Sequence, residues 1–359
     1  MKKLRAGVIG LGMGMAHVAG YRGHPDVEVI SIADTDKDRL STRGRELQIA
    51  SQYTDPLEML RKEKLDVVSV ATPNKFHLPL TIAALKAGCH VLCEKPMAMN
   101  AAEGRRMVAM ADRVNRRLMI NFSYRFNDQS YAMKKAVESG MLGEVYYART
   151  VWNRRRGLPG FGRWFGQKAL SGGGPLIDLG VHRLDLALWL MNYPKPLWVM
   201  GGTYNPIATR LAREQNKEYD VEDFAAAMVR FDNGATLALE ASWAANIKAP
   251  EEMETRLLGT KAGLVQKNVN EGYQWEAEIY LEQDGCQFDM KLHPPVPQAK
   301  GAMVHFADSI LANTPHIATG EEGLMVMQIL DAIYASADRR APVRILQTRV
   351  TNGKRGPKQ

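Results

Sequence analysis

The chain has 359 residues, 45% of them hydrophobic and 24% charged, with a formal net charge of +8. That length suits two domains of ordinary size, and the composition excludes a disordered, low-complexity or repeat-built chain. Three cysteines without ligand-type spacing exclude a zinc module and a disulfide scaffold, and no stretch is long and apolar enough to span a bilayer as a helix. Lys2, Lys3 and Arg5 precede an apolar stretch, but Gly7, Gly10, Gly12 and Gly14 interrupt it, so a strand and turn are expected there rather than a secretory leader. Reduced thiols suit a cytoplasmic protein. The positive charge gathers at Arg154, Arg155, Arg156, Arg163 and Lys168 and in the tail 352–359. With no nucleic-acid-binding signature beside it, this is solvated charge with a weak hint of an anionic ligand group, and neither nucleic acid nor membrane is expected as a partner.

In chain order, residues 4–9 form an apolar strand, 10–14 a glycine-rich turn and 15–22 a helix. Residues 27–33 form a second strand. Asp55-Pro56-Leu57-Glu58 starts a helix, with an acid at the N-cap, proline at N1 and Glu at N3. The near-continuous apolar run 65–71 suits a strand buried on both faces. A helix over 78–87, a strand over 90–93, a helix opened by Asn100 and a strand over 118–122 follow. Strands alternating with helices predict a parallel sheet covered on both sides. The pattern changes near Arg125, which places a boundary between residues 1–124 and 125–359. Beyond it come a helix over 128–139, a strand over 145–151, a basic, glycine-rich loop over 153–174 and a helical segment over 175–192. Two strands, 224–231 and 235–243, then flank the turn Asp232-Asn233-Gly234, a hairpin signal. The loop 293–297 precedes closing helices over 301–313 and 320–339.

Five groups of residues carry chemistry. Gly10, Gly12, Met13 and Gly14 lie between a strand and a helix, the context of a dinucleotide-binding turn, although Met15 stands where a third glycine is usual. Asp34 ends the second strand, where an acid accepts from both ribose hydroxyls and repels a 2′-phosphate; NAD is favoured over NADP. Thr72, Pro73 and Asn74, with His77 close behind, follow a strand end and are suited to holding ribose or nicotinamide. Glu94-Lys95-Pro96 ends another strand, where open α/β sheets bind their ligands, and the bond into Pro96 is open to either isomer. In the second half, Asp178, His182 and Asp185 are spaced i, i+4 and i+7, on one face of a regular helix, so that Asp178 would orient the His182 imidazole. A metal reading of this cluster finds no further ligands, and none is expected.

These motifs occur in the order glycine turn, acid, Thr-Pro-Asn-x-x-His, Glu-Lys-Pro, Tyr-Arg-Phe and Gly-Gly-Gly-x-Leu-x-Asp-x-Gly-x-His-x-x-Asp. The chain resembles the Gfo/Idh/MocA oxidoreductases over nearly its whole length. It departs at Met15, at His17, which falls one residue earlier than the histidine that ends the relatives' glycine motif, and at Asp128, where relatives have proline. The resemblance implies an α/β protein: a Rossmann NAD-binding domain, then an α+β domain with a large, mostly antiparallel open sheet that forms homodimers or homotetramers. It implies that Lys95 lies beside the nicotinamide with Asp178 and His182 across the cleft, the base being Lys95 or His182. Glu94, Pro96 and Asn121 would help hold the cofactor; Tyr124, Arg125, Arg155, Arg163 and Trp164 would meet the substrate. The expected activity is NAD-dependent oxidation of a sugar, cyclitol or glycoside hydroxyl, with C3 of a glycoside as one option. An NAD-dependent glycosidase and a non-catalytic sugar- or cofactor-sensing regulator are the alternatives.

Overall fold

The computed structural model describes residues 3–293 and 300–345; most of the 293–297 loop and all of the basic tail 352–359 lie outside them. The first half runs β1 (Leu4–Ile9), α1 (Gly14–Arg22), β2 (Val27–Ala33), α2 (Lys37–Leu47), β3 (Ser51–Tyr53), α3 (Pro56–Lys62), β4 (Val67–Val70), α4 (His77–Lys86), β5 (His90–Glu94), α5 (Ala101–Arg113) and β6 (Leu118–Asn121). Its six strands form one all-parallel sheet in the order β3-β2-β1-β4-β5-β6. The strand order reverses between β1 and β4, so a crevice opens at their carboxyl ends. The helix starts follow their capping residues: Asp55 accepts the Leu57 N–H at 2.8 Å and Asn100 the Glu103 N–H at 2.9 Å. Helix α2 was not foreseen, because its lone buried leucine, Leu40, leaves almost no apolar stripe; Asp36 caps it through the Asp38 and Arg39 N–H groups.

The second half runs α6 (Asp128–Glu138), β7 (Val145–Arg154), α7 (Lys168–Ser171), α8 (Val181–Leu190), β8 (Pro196–Tyr204), α9 (Pro206–Glu214), β9 (Phe224–Phe231), β10 (Thr236–Ser242), β11 (Glu251–Gly259), β12 (Ala262–Val269), β13 (Gln274–Gln283), β14 (Cys286–Lys291), α10 (Ala302–Leu311), α11 (Gly320–Arg339) and β15 (Val343–Arg344). Nine strands form the second sheet, β14-β13-β12-β11-β7-β10-β9-β8-β15, antiparallel except for β7 beside β10. Along β9 and β10, alternate residues such as Val229, Leu237 and Leu239 are buried beneath the helices, as the period of two requires. The opposite face carries Met200, Met228 and Tyr204, each more than half exposed. Helix α11 packs against β8 and also against α5 and β6, and α10 packs against α1, so the end of the chain returns to the first sheet.

The halves meet at a buried ion cluster. Arg125 follows β6 and is fully buried. Its Nη2 and Nε reach the Asp185 carboxylate of α8 at 2.6 and 2.9 Å, its Nη1 reaches Glu322 of α11 at 2.7 Å, and the Tyr193 hydroxyl completes the set. A buried guanidinium is tolerated only when its charge and donors are met. Removing one partner leaves the charge uncompensated. Asp185→Ala therefore lowers stability by about 3–5 kcal/mol, measured as a reduced urea midpoint with the slope unchanged.

Candidate active site

A cleft of about 610 Å³ lies at the carboxyl ends of the parallel strands, between the two sheets. Gly10 turns the chain out of β1 at φ +89°, where a side chain would press on the Ala71 carbonyl. Gly12 faces open space, and Met13 stands exposed at the rim. Gly14 starts α1 against Val8. Asp34 is buried at the end of β2; its carboxylate accepts the Leu11 N–H at 2.8 Å and the Asp36 N–H at 2.9 Å and meets Arg39 at 3.2 Å. The glycine turn and the acid are thus bonded to each other.

Thr72, Asn74, Glu94, Lys95, Pro96 and Asn121 line the cleft. Asn74 ties the halves together by donating to the Ser171 carbonyl at 2.7 Å. The Lys95–Pro96 peptide is cis. Glu94 sits beneath the cleft, with Oε1 2.8 Å from His17 Nε2 and accepting from Asn121 Nδ2 at 2.7 Å. Burial alone would raise its carboxyl pKa, but His17 and Asn121 outweigh that and hold it below 4.5. His17 reaches on to Ser69 Oγ at 2.9 Å. The sequence reading gave His17 no role; its signals were its place after the glycine turn and its position inside an otherwise apolar helix. Two buried atoms of the cleft residues, Thr72 Oγ1 and Asn121 Oδ1, have no partner within the protein. With the open glycine turn and the buried acid, they match what a dinucleotide requires: backbone for pyrophosphate, carboxylate for ribose and free polar atoms near the nicotinamide.

The opposite wall differs from the regular helix expected over residues 175–192. Residues Leu176–Gly180 form a π turn, and only then does α8 begin. The wider turn breaks the i, i+4 relation, so Asp178 does not pair with His182 and Asp185 points away to Arg125. Lys95 Nζ instead donates to Asp178 Oδ1 and to its backbone carbonyl, each at 2.9 Å, and Trp243 Nε1 donates to Asp178 Oδ2 at 3.1 Å. Glu222 fixes the turn from behind by accepting the Gly174 N–H at 2.9 Å and the Leu176 N–H at 3.1 Å, while Tyr334 of α11 donates to it at 2.9 Å. A side chain at Gly173 would overlap the Tyr334 hydroxyl, which accounts for a glycine there.

His182 lines the cleft with a half-buried ring, edge-on to Tyr124 at 5.0 Å and tilted to Trp152 at 5.7 Å. Its Nδ1 has no partner. Burial first, and the charges of Lys95, Arg183 and Arg154 second, push its pKa well below 6.5, so the imidazole is a neutral proton acceptor. Tyr124 also lines the cleft; Trp164 stacks on Phe165 at 3.8 Å where both enter it.

Five expected site residues lie elsewhere. His77 is buried behind the cleft with its ring nitrogens 2.7 Å from the Pro96 carbonyl and 2.8 Å from the Thr72 carbonyl, so it clamps two loops rather than facing a ligand. Arg125 is consumed by the ion cluster described above, because a buried guanidinium takes the nearest carboxylates. Arg155 and Arg163 are exposed and outside the cleft lining; Arg155 reaches only the Lys248 carbonyl by side chain. Pro73 lies beside the lining rather than in it. Among the described residues no cluster of His, Cys, Asp and Glu is arranged to hold a metal ion.

Comparison with known proteins agrees with this geometry. A family description, "Oxidoreductase family, NAD-binding Rossmann fold", matches residues 4–122, and "GFO/IDH/MocA C-terminal domain" matches residues 131–265. The chain is 33% identical to the D-glucoside 3-dehydrogenase of Escherichia coli over 93% of its own length and 95% of the relative's. It is 26% identical to the myo-inositol 2-dehydrogenase of Thermotoga maritima over 95% of its length and 98% of the relative's. A levoglucosan dehydrogenase solved in complex with NADH has the same fold, with a TM-score of 0.84 at 24% identity, covering 97% of this chain and all of the other. The chain belongs to the Gfo/Idh/MocA family of NAD-binding oxidoreductases.

Proposed function

We propose that this oxidoreductase removes hydrogen from a secondary hydroxyl of a glucoside, at C3, using NAD. The observation that carries this reading is the free Nδ1 of His182 in the same cleft as the Lys95–Asp178 pair, beside an aromatic wall. NAD, when bound, accepts the hydride from the carbinol carbon. His182 takes the hydroxyl proton, since its ring is neutral and unpartnered. The Lys95 ammonium, oriented by Asp178, donates to the oxygen as negative charge develops there. Asp178 in turn is held by Trp243. Tyr124, Trp164 and Phe165 offer flat apolar surface to a sugar ring or its aglycone, a lining that suits a glycoside better than a small linear polyol. The resemblance to the glucoside 3-dehydrogenase supports the choice of substrate and carbon.

The exposed face of the nine-stranded sheet, with Met200, Met228 and Tyr204, is the surface through which homodimers or homotetramers form. No helix among the described residues is long and apolar enough to cross a membrane; the protein acts in the cytoplasm on a small carbohydrate.

The test is a screen of methyl glucosides, free aldoses and inositols with NAD, followed at the nicotinamide absorbance and by product analysis. A 3-oxo-glucoside with matching NADH is expected. His182→Gln lowers kcat by about 100-fold or more; full turnover in that variant defeats its assignment as the base. Release of free sugar without net NADH defeats the dehydrogenase reading in favour of a glycosidase, and NAD binding without turnover of any sugar favours a sensor.

Asp34 and Arg39 decide the nucleotide. The carboxylate repels a 2′-phosphate and engages the nearby Arg39 guanidinium. NAD is therefore preferred over NADP. Asp34→Ala removes the repulsion and leaves Arg39 with Asp36 as its exposed partner at 3.1 Å, and the ratio of kcat/KM for NADP to that for NAD rises by about tenfold or more. An unchanged ratio removes Asp34 as the determinant.

A further inference from the structure

Arg183 is fully buried, one residue after His182, yet it meets no carboxylate within ion-pair distance among the described residues. Its guanidinium lies over three aromatic rings, 4.4 Å from Tyr124, 4.6 Å from Trp275 and 5.3 Å from Trp152. Its Nη2 approaches the Met253 sulfur at 3.6 Å, its Nε and Nη1 have no hydrogen-bond partner among the described residues, and the Tyr124 hydroxyl acts on it as a polar neighbour. Ring faces attract a cation but do not neutralise it. A buried arginine without a counter-ion is costly to keep, whereas a leucine or methionine would fill such a cage at no electrostatic cost. Two of the caging rings, Tyr124 and Trp152, also pack on His182.

The charged and titratable groups around His182 are Lys95 at the end of β5, Tyr124 after β6, Arg154 on β7, Asp178 in the π turn and Arg183 on α8, with Glu251 and Tyr273 one layer out. Two of the three cations carry their own carboxylate. Lys95 is paired with Asp178 at 2.9 Å and Arg154 with Glu251 at 2.6 Å. Opposite charges that close cancel much of each other's field a few ångströms away. Arg183 alone has no carboxylate within ion-pair distance among the described residues; burial pushes its pKa down, Tyr124 and the more distant Glu251 oppose that, and at about 10 it stays charged at neutral pH.

We infer that Arg183 is a positioning residue whose aromatic-caged, uncompensated guanidinium keeps the His182 imidazole unprotonated. The inference deepens the reading of His182 as the proton acceptor and rests on it for its catalytic meaning, but not for its effect on the ring. Ordinary packing of a long side chain predicts no effect of the charge on the ring's titration.

The test uses the full chain, with histidine ring nitrogens labelled and the His182 signal assigned by its loss in His182→Gln. The ring is titrated by NMR in the wild type, Arg183→Met and Arg183→Lys, and the kcat/KM–pH profile is recorded for each. In Arg183→Met the His182 pKa is expected to rise by about one unit or more, with the acid limb of the profile moving to higher pH by the same amount. In Arg183→Lys, which keeps the charge, both stay near wild type. Arg183→Gln replaces the methionine variant if that one does not fold. An unchanged ring titration in a folded neutral variant, or equal shifts in the lysine and methionine variants, overturns the inference. If the ring titration moves as expected while His182→Gln retains full turnover, the inference stands and the reading of His182 as the base falls.

Discussion

The buried guanidinium of Arg125 is the constraint on which the relative placement of the two halves depends. It sits directly after the last parallel strand, and its bonds run to α8 and α11. Because a desolvated charge cannot be left half-met, both helices are held where their carboxylates reach it. Helix α8 begins at Val181 and carries His182 one turn before Asp185, so fixing Asp185 also fixes the imidazole in the cleft wall. Helix α11 begins at the edge of β6, where the Ile120 N–H donates to the Ala318 carbonyl at 2.8 Å, and it carries Tyr334 to Glu222 behind the π turn. One ion cluster therefore sets the positions of both the imidazole and the turn that bears Asp178.

The cleft separates its charges by function. Asp178 spends both carboxylate oxygens on Lys95 and Trp243, which leaves the lysine oriented and the acid unavailable to the imidazole. His182 thus differs from a histidine backed by a carboxylate, whose proton affinity such a partner raises. It is surrounded by rings and cations and remains neutral. A neutral imidazole and a charged ammonium thus face the same cleft.

How much of this was legible in the sequence depended on how local each signal was. Strands β1, β2 and β9 fall where the apolar runs put them, because each run is bounded by its own glycine, acid or turn residues. The acid after β2 and the lysine after β5 were legible because strand ends in a parallel sheet converge by topology alone. The face of residues 175–185 was not. Helical spacing assumes 3.6 residues per turn, and a single π turn redirects every side chain on one side of it. Arg125 and His77 were assigned to ligands because their true partners, Asp185 and the Pro96 carbonyl, lie at distances in the chain that no local pattern reveals. Trp243 was legible at the end of the second hairpin strand but not as the donor that holds Asp178, since the two lie 65 residues apart in the chain.

The joints between the halves at the cleft are polar and close, Asn74 to Ser171 at 2.7 Å and Lys95 to Asp178 at 2.9 Å, and within the second half Tyr334 to Glu222 braces the π turn. Behind them an apolar core runs continuously from the first sheet through α8 and α11 to the second. Lys95, Asp178 and His182 are therefore mounted on elements that this core packs together. The aromatic pair Trp164–Phe165 stands instead on the long connection between β7 and α8, where no strand or long helix holds it. The same connection carries Asp178, and Phe165 lies edge-on to Trp243 at 6.4 Å. A change at Phe165 therefore reaches the indole that holds Asp178, and the aromatic wall is packed as one unit with the Lys95–Asp178 pair.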